Sequence, residues 1–321
     1  MVWLRFLGST LATAILMAGG DLSHGQSYPV RGIRVVVGGI GGSLDITARW
    51  VAQGIAGPLG QPVIVENRAS VTIAADVVAK APPDGYTLLV TGPNLWILPL
   101  LESKPSYDPI KDFSPVTLAT RSPGILVVNP ALPVRSVKEL IALAKARPGD
   151  LNYASGSSGS ASHLAAELFL AKAGVRITRI NYKSAAAGLV DLISGEVQVM
   201  FPVAASVAPY IKSGRLRALA VTTRQPSALV PGTPTMIAAG LPGYEAVSLG
   251  GVFAPAHLPD AIVGRLNQEI VRVLTRDDTR EKFLANGVES VGSSPEELAS
   301  SVKSEMATIG KLIRDAGIRA E

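Results

Sequence analysis

Val35-Val36-Val37-Gly38-Gly39-Ile40-Gly41-Gly42-Ser43-Leu44-Asp45 is a β-branched run that empties into four glycines and then into an apolar-periodic stretch. The pattern reads as a strand, a tight turn and a helix start. A helix start exposes N–H groups without intrahelical partners at the positive end of the helix dipole, and glycines let a ligand approach that backbone closely. In the other half of the chain, Leu151-Asn152-Tyr153-Ala154-Ser155-Gly156-Ser157-Ser158-Gly159-Ser160-Ala161-Ser162 repeats the design. One such turn is ordinary; two, in different halves, point to an anion held between two lobes.

Outward from the first turn, Asp45 to Ala56 reads as a helix, followed by a strand at Val63–Val65, a helix through Ile73–Ala81 and a strand at Tyr86–Val90. This βαβαβ order is the signature of a parallel sheet covered on both faces. A second series opens at Ile125-Leu126-Val127-Val128. Its first helix starts at a capping box, Ser136-Val137-Lys138-Glu139, and stops at Pro148-Gly149. A strand near Leu151–Tyr153, a helix from Ala161 to Ala173, a strand at Arg176–Tyr182, a helix near Ala186–Ile193 and strands at Val197–Phe201 and Leu216–Thr222 complete it. A Pro-rich stretch (Pro226, Pro231, Pro234, Pro242) suits a return over the surface. Two long helices close the chain, one over Asp260–Thr275, the other starting at the capping box Ser294-Pro295-Glu296-Glu297 and ending at Ala316-Gly317. The fold class expected is α/β, with the second lobe inserted into the first and hinges near 118–125 and 220–226.

The first residues read as an export signal: Arg5, a mostly apolar stretch from Leu7 to Ala18, and small residues at Ser23 and Gly25 before a cut ahead of Gln26. A retained lipid-facing anchor is the competing reading, although the stretch is short of the ~18 apolar residues of a membrane span. The chain of 321 residues is 47% hydrophobic and 17% charged, the composition of a packed globular protein. It has no cysteine, hence no disulfide framework and no thiolate chemistry. The net charge of +5 comes from scattered Lys and Arg, and aromatics are only 5%, so no nucleic-acid partner is expected. The positive balance either gathers anionic solutes or is simply a soluble surface.

Gly39-Ile40-Gly41-Gly42-Ser43-Leu44 approaches the dinucleotide fingerprint, with Glu66 closing the next strand, but Leu44 stands at the third glycine and no Walker lysine follows. Ser160 and His163 lie one helical turn apart, the basis of an alternative reading as a secreted serine hydrolase. No G-x-S-x-G elbow and no orienting acid accompany them, and His163 at the start of an apolar helix reads as a packed structural residue. Two isolated histidines after the leader, with no cysteine, give no metal-ligand spacing, so neither metal nor cofactor is expected. Trp96 either covers a ligand or fills core. What remains is a set of neutral donors, which holds an anion and has nothing to transform it with. A micromolar complex needs about −8 kcal/mol. Four or five hydrogen bonds to a charged group, at ~1.5–3 kcal/mol each, suffice against the costs of association.

At these residues the chain resembles the Bug family of periplasmic solute-binding proteins, TctC-like receptors of tripartite tricarboxylate transporters. The resemblance is carried by Tyr28-Pro29, Ile33-Arg34-Val35-Val36-Val37 with Gly41-Gly42-Ser43-Leu44-Asp45, Leu59-Gly60-Gln61-Pro62-Val63-Ile64-Val65-Glu66-Asn67-Arg68 and Pro83-Asp84-Gly85-Tyr86-Thr87-Leu88-Leu89. It continues through Tyr107-Asp108-Pro109, Asp112-Phe113, Leu151-Asn152-Tyr153-Ala154-Ser155, Ser162-His163-Leu164, Leu216-Arg217-Ala218-Leu219-Ala220-Val221-Thr222, Leu241-Pro242-Gly243-Tyr244-Glu245 and Phe253-Ala254-Pro255. It implies a two-lobed type II periplasmic-binding fold, each lobe a mostly parallel sheet flanked by helices, closing on a small organic carboxylate for delivery to the permease subunits. The implied ligand residues are Gly41, Gly42, Ser43 and Asp45 from one lobe, Ser155, Ser158, Gly159 and Ser160 from the other, and Asn94 as a small polar pocket residue. Two departures from the family pattern bear on the pocket: Ala185 stands where a polar residue is common, and Pro202 replaces a usual Asp or Asn. The pocket is therefore expected to be poor in acceptors and to favour a less polar carboxylate over an amino acid. The resulting expectation is a non-catalytic, monomeric periplasmic receptor with a signal peptide over 1–25. Its first lobe comprises 26–121 and 225–321, its second 122–224. A ligand-sensing subunit of a signalling system remains open beside transport.

Overall fold

The computed structural model describes residues 28–318 except 41, 103, 157–159 and 183–184. The first unit runs β1 (Ile33–Gly38), α1 (Ser43–Leu59), β2 (Val63–Arg68), α2 (Val71–Ala79), β3 (Thr87–Thr91), α3 (Asn94–Leu101) and β4 (Phe113–Pro123). The second runs β5 (Ile125–Val128), α4 (Val137–Ala146), β6 (Asn152–Ser155), α5 (Ala161–Ala173), β7 (Thr178–Asn181), α6 (Ala185–Ser194), β8 (Val199–Met200), α7 (Ala204–Lys212) and β9 (Arg217–Val221). The chain returns through β10 (Val247–Pro255), α8 (Asp260–Leu274), α9 (Asp277–Ala285), β11 (Glu289–Ser290) and α10 (Pro295–Ala316). The first sheet has the order β11-β4-β10-β3-β1-β2 and the second β7-β6-β8-β5-β9. The two-sheet α/β architecture expected from the alternating pattern is the one found.

Local chemistry accounts for the boundaries. Helix α5 begins where the Ser160 hydroxyl accepts the N–H of His163 and ends where Gly174 turns left-handed, at φ 61°. Ser294 and Glu297 form a full reciprocal box at the head of α10. At α4, Ser136 accepts from the Glu139 N–H, but the Glu139 carboxylate takes the N–H of Arg135, one residue before the cap. The sequence pattern does not reveal β10. Its centre is Gly250-Gly251, where the pairing with β4 shifts register. Side chains are excluded there because a Cβ on Gly250 would lie 2.1 Å from the Thr120 hydroxyl.

The faces of the first sheet are covered by different partners. Val35, Val37, Leu88 and Val90 pack with α1 and α8 residues such as Val51, Ile55, Leu266 and Ile270. The opposite face shares one continuous core with the second unit, joining Val36, Leu89 and Phe253 to Leu126, Tyr153, Phe169 and Phe201. Trp96 belongs to this core: it is fully buried and its indole N–H donates to Glu305 Oε2 at 3.1 Å. Helix α10 packs on α3 and β4 and also on α5. The Pro-rich stretch lies along the second sheet: Met236 donates to the Val221 carbonyl at 2.9 Å and the Tyr244 hydroxyl to the Ala165 carbonyl at 2.8 Å.

Candidate functional site

Strand directions place the two Gly-rich turns. β1, β2 and β3 are mutually parallel, and β3 and β4 both run antiparallel to β10, so β4 ends at the same edge as the others. β5 runs antiparallel to β8, which is parallel to β6, so β5 begins at the edge where β6, β7 and β8 end. Only Gly124 separates β4 from β5. The carboxyl edges of both sheets therefore meet across that crossing, and sites in open α/β sheets lie outside those edges. The chain passes between the sheets twice, from β4 to β5 and from β9 to β10, and its segments are laced together there. Thr222 donates its N–H to the Gly124 carbonyl, and Ala246 donates to the Thr222 carbonyl, both at 3.0 Å. The Thr222 hydroxyl closes the lacing on the Ala246 carbonyl at 2.5 Å.

The first turn is braced from β2. Asn67 donates through Nδ2 to the Gly39 carbonyl at 2.6 Å and to Asp45 Oδ1 at 2.8 Å. Arg49 bonds Asn67 Oδ1 at 2.9 Å and pairs with Asp45 at 3.1 Å. Asp45 is thus buried in an ion-paired brace, 4% exposed. Gly42 is the N-cap of α1 and offers no side chain to the first N–H groups of that helix. Gly42 and Ser43 are exposed at the edge, as is Asn94, which opens α3 after the end of β3. Gly41 lies outside the described residues. Ile40, at the tip between these glycines, is 80% exposed.

The second turn is braced from β7. Arg179 donates through Nε to the Ser155 hydroxyl at 2.8 Å and through Nη2 to the Gly156 carbonyl at 2.9 Å and Asn181 Oδ1 at 3.1 Å. The Ser155 hydroxyl also donates to the Gly156 carbonyl at 3.1 Å, so this fully buried serine is part of the brace. The Gly156 N–H donates to the Ser162 hydroxyl at 3.2 Å. Ser160 caps α5, accepting the His163 N–H at 3.4 Å. Ser158 and Gly159 lie outside the described residues. Ala185 stands exposed at the start of α6. Pro202 is buried beside the crossing, its carbonyl accepting the Ile125 N–H at 2.9 Å.

Behind the second turn, the His163 imidazole is buried, with Nε2 3.8 Å from Glu167 Oε1. The same carboxylate accepts from the Tyr153 hydroxyl. Burial first, then Glu167, push the Tyr153 phenol up, while the Arg179 charge opposes them. The Ser160 hydroxyl serves the helix end, and the Glu167 carboxylate beside His163 is shared with the Tyr153 hydroxyl. Among the described residues no cluster of His, Asp or Glu could hold a metal ion.

Sequence reasoning missed Asn67, Arg49 and Arg179 as parts of the site. The available signal was positional: Asn67 lies near the carboxyl end of β2 and Arg179 in β7, strands paired in parallel with β1 and β6, which deliver the two turns.

Known proteins are similar to this chain in sequence and fold. The protein-family profile of the tripartite tricarboxylate transporter family receptors, TctC, matches residues 47–318. Protein BugT of Bordetella pertussis is 35% identical over 321 residues, covering 98% of each chain. Among solved structures, R. palustris Rpa4515 with adipate is 37% identical at a TM-score of 0.75, covering 92% of this chain and all of that one. MatC from Rhodopseudomonas palustris, with bound malate, is 31% identical at 0.70, with 89% and 100% covered. A TctC solute-binding protein from Polaromonas, without ligand, is 26% identical at 0.81, with 90% and 99% covered. These relatives are solute-binding receptors with the same two-lobed fold, and with them the chain belongs to the TctC family of tripartite tricarboxylate transporter receptors, the Bug proteins.

Proposed function

We propose that this receptor captures a small organic carboxylate between its lobes and hands it to the permease subunits of a tripartite tricarboxylate-type transporter. The observation that carries the reading is the uncapped start of α1, exposed at the edge that meets the second sheet across Gly124. An anion there supplies the acceptor that Gly42 lacks. Gly41, Gly42, Ser43 and Asn94 would meet the solute from one side, and Ser158, Gly159, Ser160, Ala185 and Pro202 from the other, with Asp45 and Ser155 as braces. Lobe 1 is then 26–121 with 225–321, and lobe 2 is 122–224. Residues 1–25 act as a signal peptide, and the mature protein works in the periplasm as a monomer without turnover.

The relatives with adipate and malate support a dicarboxylate of this size. Ala185 and Pro202 provide no side-chain acceptor for an amino or hydroxyl group, which favours the less polar acid. Titration calorimetry and thermal shift with adipate, malate, aspartate and glutamate test the reading. Adipate should bind best and raise the unfolding temperature; tightest binding of an amino acid would overturn the assigned class.

A further inference from the structure

The two turns have the same electrostatic problem. A Gly-rich turn that offers N–H groups to an anion also carries carbonyl oxygens, and a carbonyl pointing at the solute repels it. In the first turn the Gly39 carbonyl is held by Asn67, which stands opposite Val37, two residues earlier. In the second, the Gly156 carbonyl is held by Arg179, which stands opposite Tyr153, three residues earlier. At about 3.3 Å of rise per strand residue, the longer stagger calls for a longer arm. The guanidinium fork also reaches the Ser155 hydroxyl, which bonds the same Gly156 carbonyl.

We propose that Arg179 is the positioning residue of the second anion turn: its fork on Ser155, Gly156 and Asn181 turns the Gly156 carbonyl inward and fixes this turn for a carboxylate. The assignment rests on the binding reading above. A lysine keeps the charge but is a single point donor, without the fork that serves Ser155 and Gly156 together. Charge and geometry are therefore separable.

The test compares the wild type, Arg179→Lys and Arg179→Met by calorimetry with adipate and monomethyl adipate, and by amide hydrogen exchange without ligand. Both variants should exchange faster over the described amides of 155–162, with 39–46 unchanged. Adipate affinity should fall about 10-fold in Arg179→Lys and about 100-fold in Arg179→Met, the range of a hydrogen bond to a charged group. The preference for adipate over its monoester should narrow most in Arg179→Met, which a general loosening of the lobe would not produce. Adipate affinity within twofold of wild type in Arg179→Met, full retention in Arg179→Lys, or unchanged exchange over 155–162 would overturn the assignment. If the wild type binds neither adipate nor malate, the carboxylate reading fails on its own, and the exchange measurement still decides the role of Arg179.

Discussion

The two turns differ in how they are finished. The first is braced by a neutralised set, Asn67 with the Asp45–Arg49 pair, and leaves α1 without a side-chain cap. The second is braced by the Arg179 guanidinium on neutral oxygens and hands its helix a cap from its own Ser160. One half thus leaves its helix end without a side-chain cap, and the other brings positive charge close behind its turn. The comparison teaches that equivalent positions in the two halves will not respond alike to substitution.

The strongest way to break this comparison is Gly42→Asp. A Cβ at Gly42 meets nothing within 4 Å, and its φ of −82° suits any residue. The new carboxylate would cap α1 itself, adding roughly a few tenths of a kcal/mol over the glycine cap. It would also place a like charge at the proposed solute position, so adipate affinity should drop about 1000-fold, near 4 kcal/mol. Gly42→Ala, with neither cap nor charge, should stay within several-fold of wild type. Calorimetry and urea unfolding read both effects, and retained affinity in Gly42→Asp would move the anion away from α1.

The halves are coupled as well as contrasted, because α10 packs on α3 and β4 of one and α5 of the other. Within it, burial pushes the Glu305 carboxyl up to about 7 from 4.5, the Trp96 bond opposing and the Glu245 charge assisting. Between those values the folded protein binds a proton that the unfolded chain has released, so the stability this group contributes is complete below pH 4.5 and is lost as pH rises through 7. The loss attributable to this group is on the order of 3 kcal/mol. Thermal unfolding should show one transition weakening over this window, and Glu305→Gln should flatten the slope. A variant with the wild-type slope would assign the pH dependence to other groups.

Asn67→Ala sharpens the comparison from the first turn. It removes the hold on Gly39 and one of the bonds to the buried Asp45, a cost on the order of 2 kcal/mol. Hydrogen exchange should rise over 39–46 and remain unchanged over the described part of 155–162. Equal loosening of both turns would show that they are not independently braced.

How much of this was legible in the sequence follows the range of the forces involved. Helix α5 was readable to the residue because its limits are local: a serine cap and a left-handed glycine. The sheets were readable from β-branched runs punctuated by turns. β10 was hidden because its centre is Gly-Gly, chosen for close approach to Thr120 on a distant strand. Trp96 left lid and core equally open, since only the fold brings Glu305 and Phe253 against it. The turns themselves announced their donors, whereas Asn67 and Arg179 become meaningful only once the strand register sets them beside Gly39 and Gly156. Asp45 shows the same limit, for its acidic side chain at a Gly-rich turn looks available until Arg49 and Asn67 are placed on it.

The smallest effect is expected at Ser160. Its bond to the His163 N–H is long, 3.4 Å, and Ser160→Ala removes it along with a contact to the Ser162 hydroxyl at 3.4 Å. Loss of such a cap costs about 1 kcal/mol in the ligand-free protein. The variant also makes the second helix resemble the first, with an end open to an external acceptor. A bound carboxylate should take over part of the capping, so the stability difference should shrink in saturating adipate and the affinity should change by no more than several-fold. Thermal unfolding with and without adipate measures the difference directly. A loss of affinity approaching that of Gly42→Asp would mean that the serine hydroxyl is itself a principal contact and that the two halves grip the solute alike.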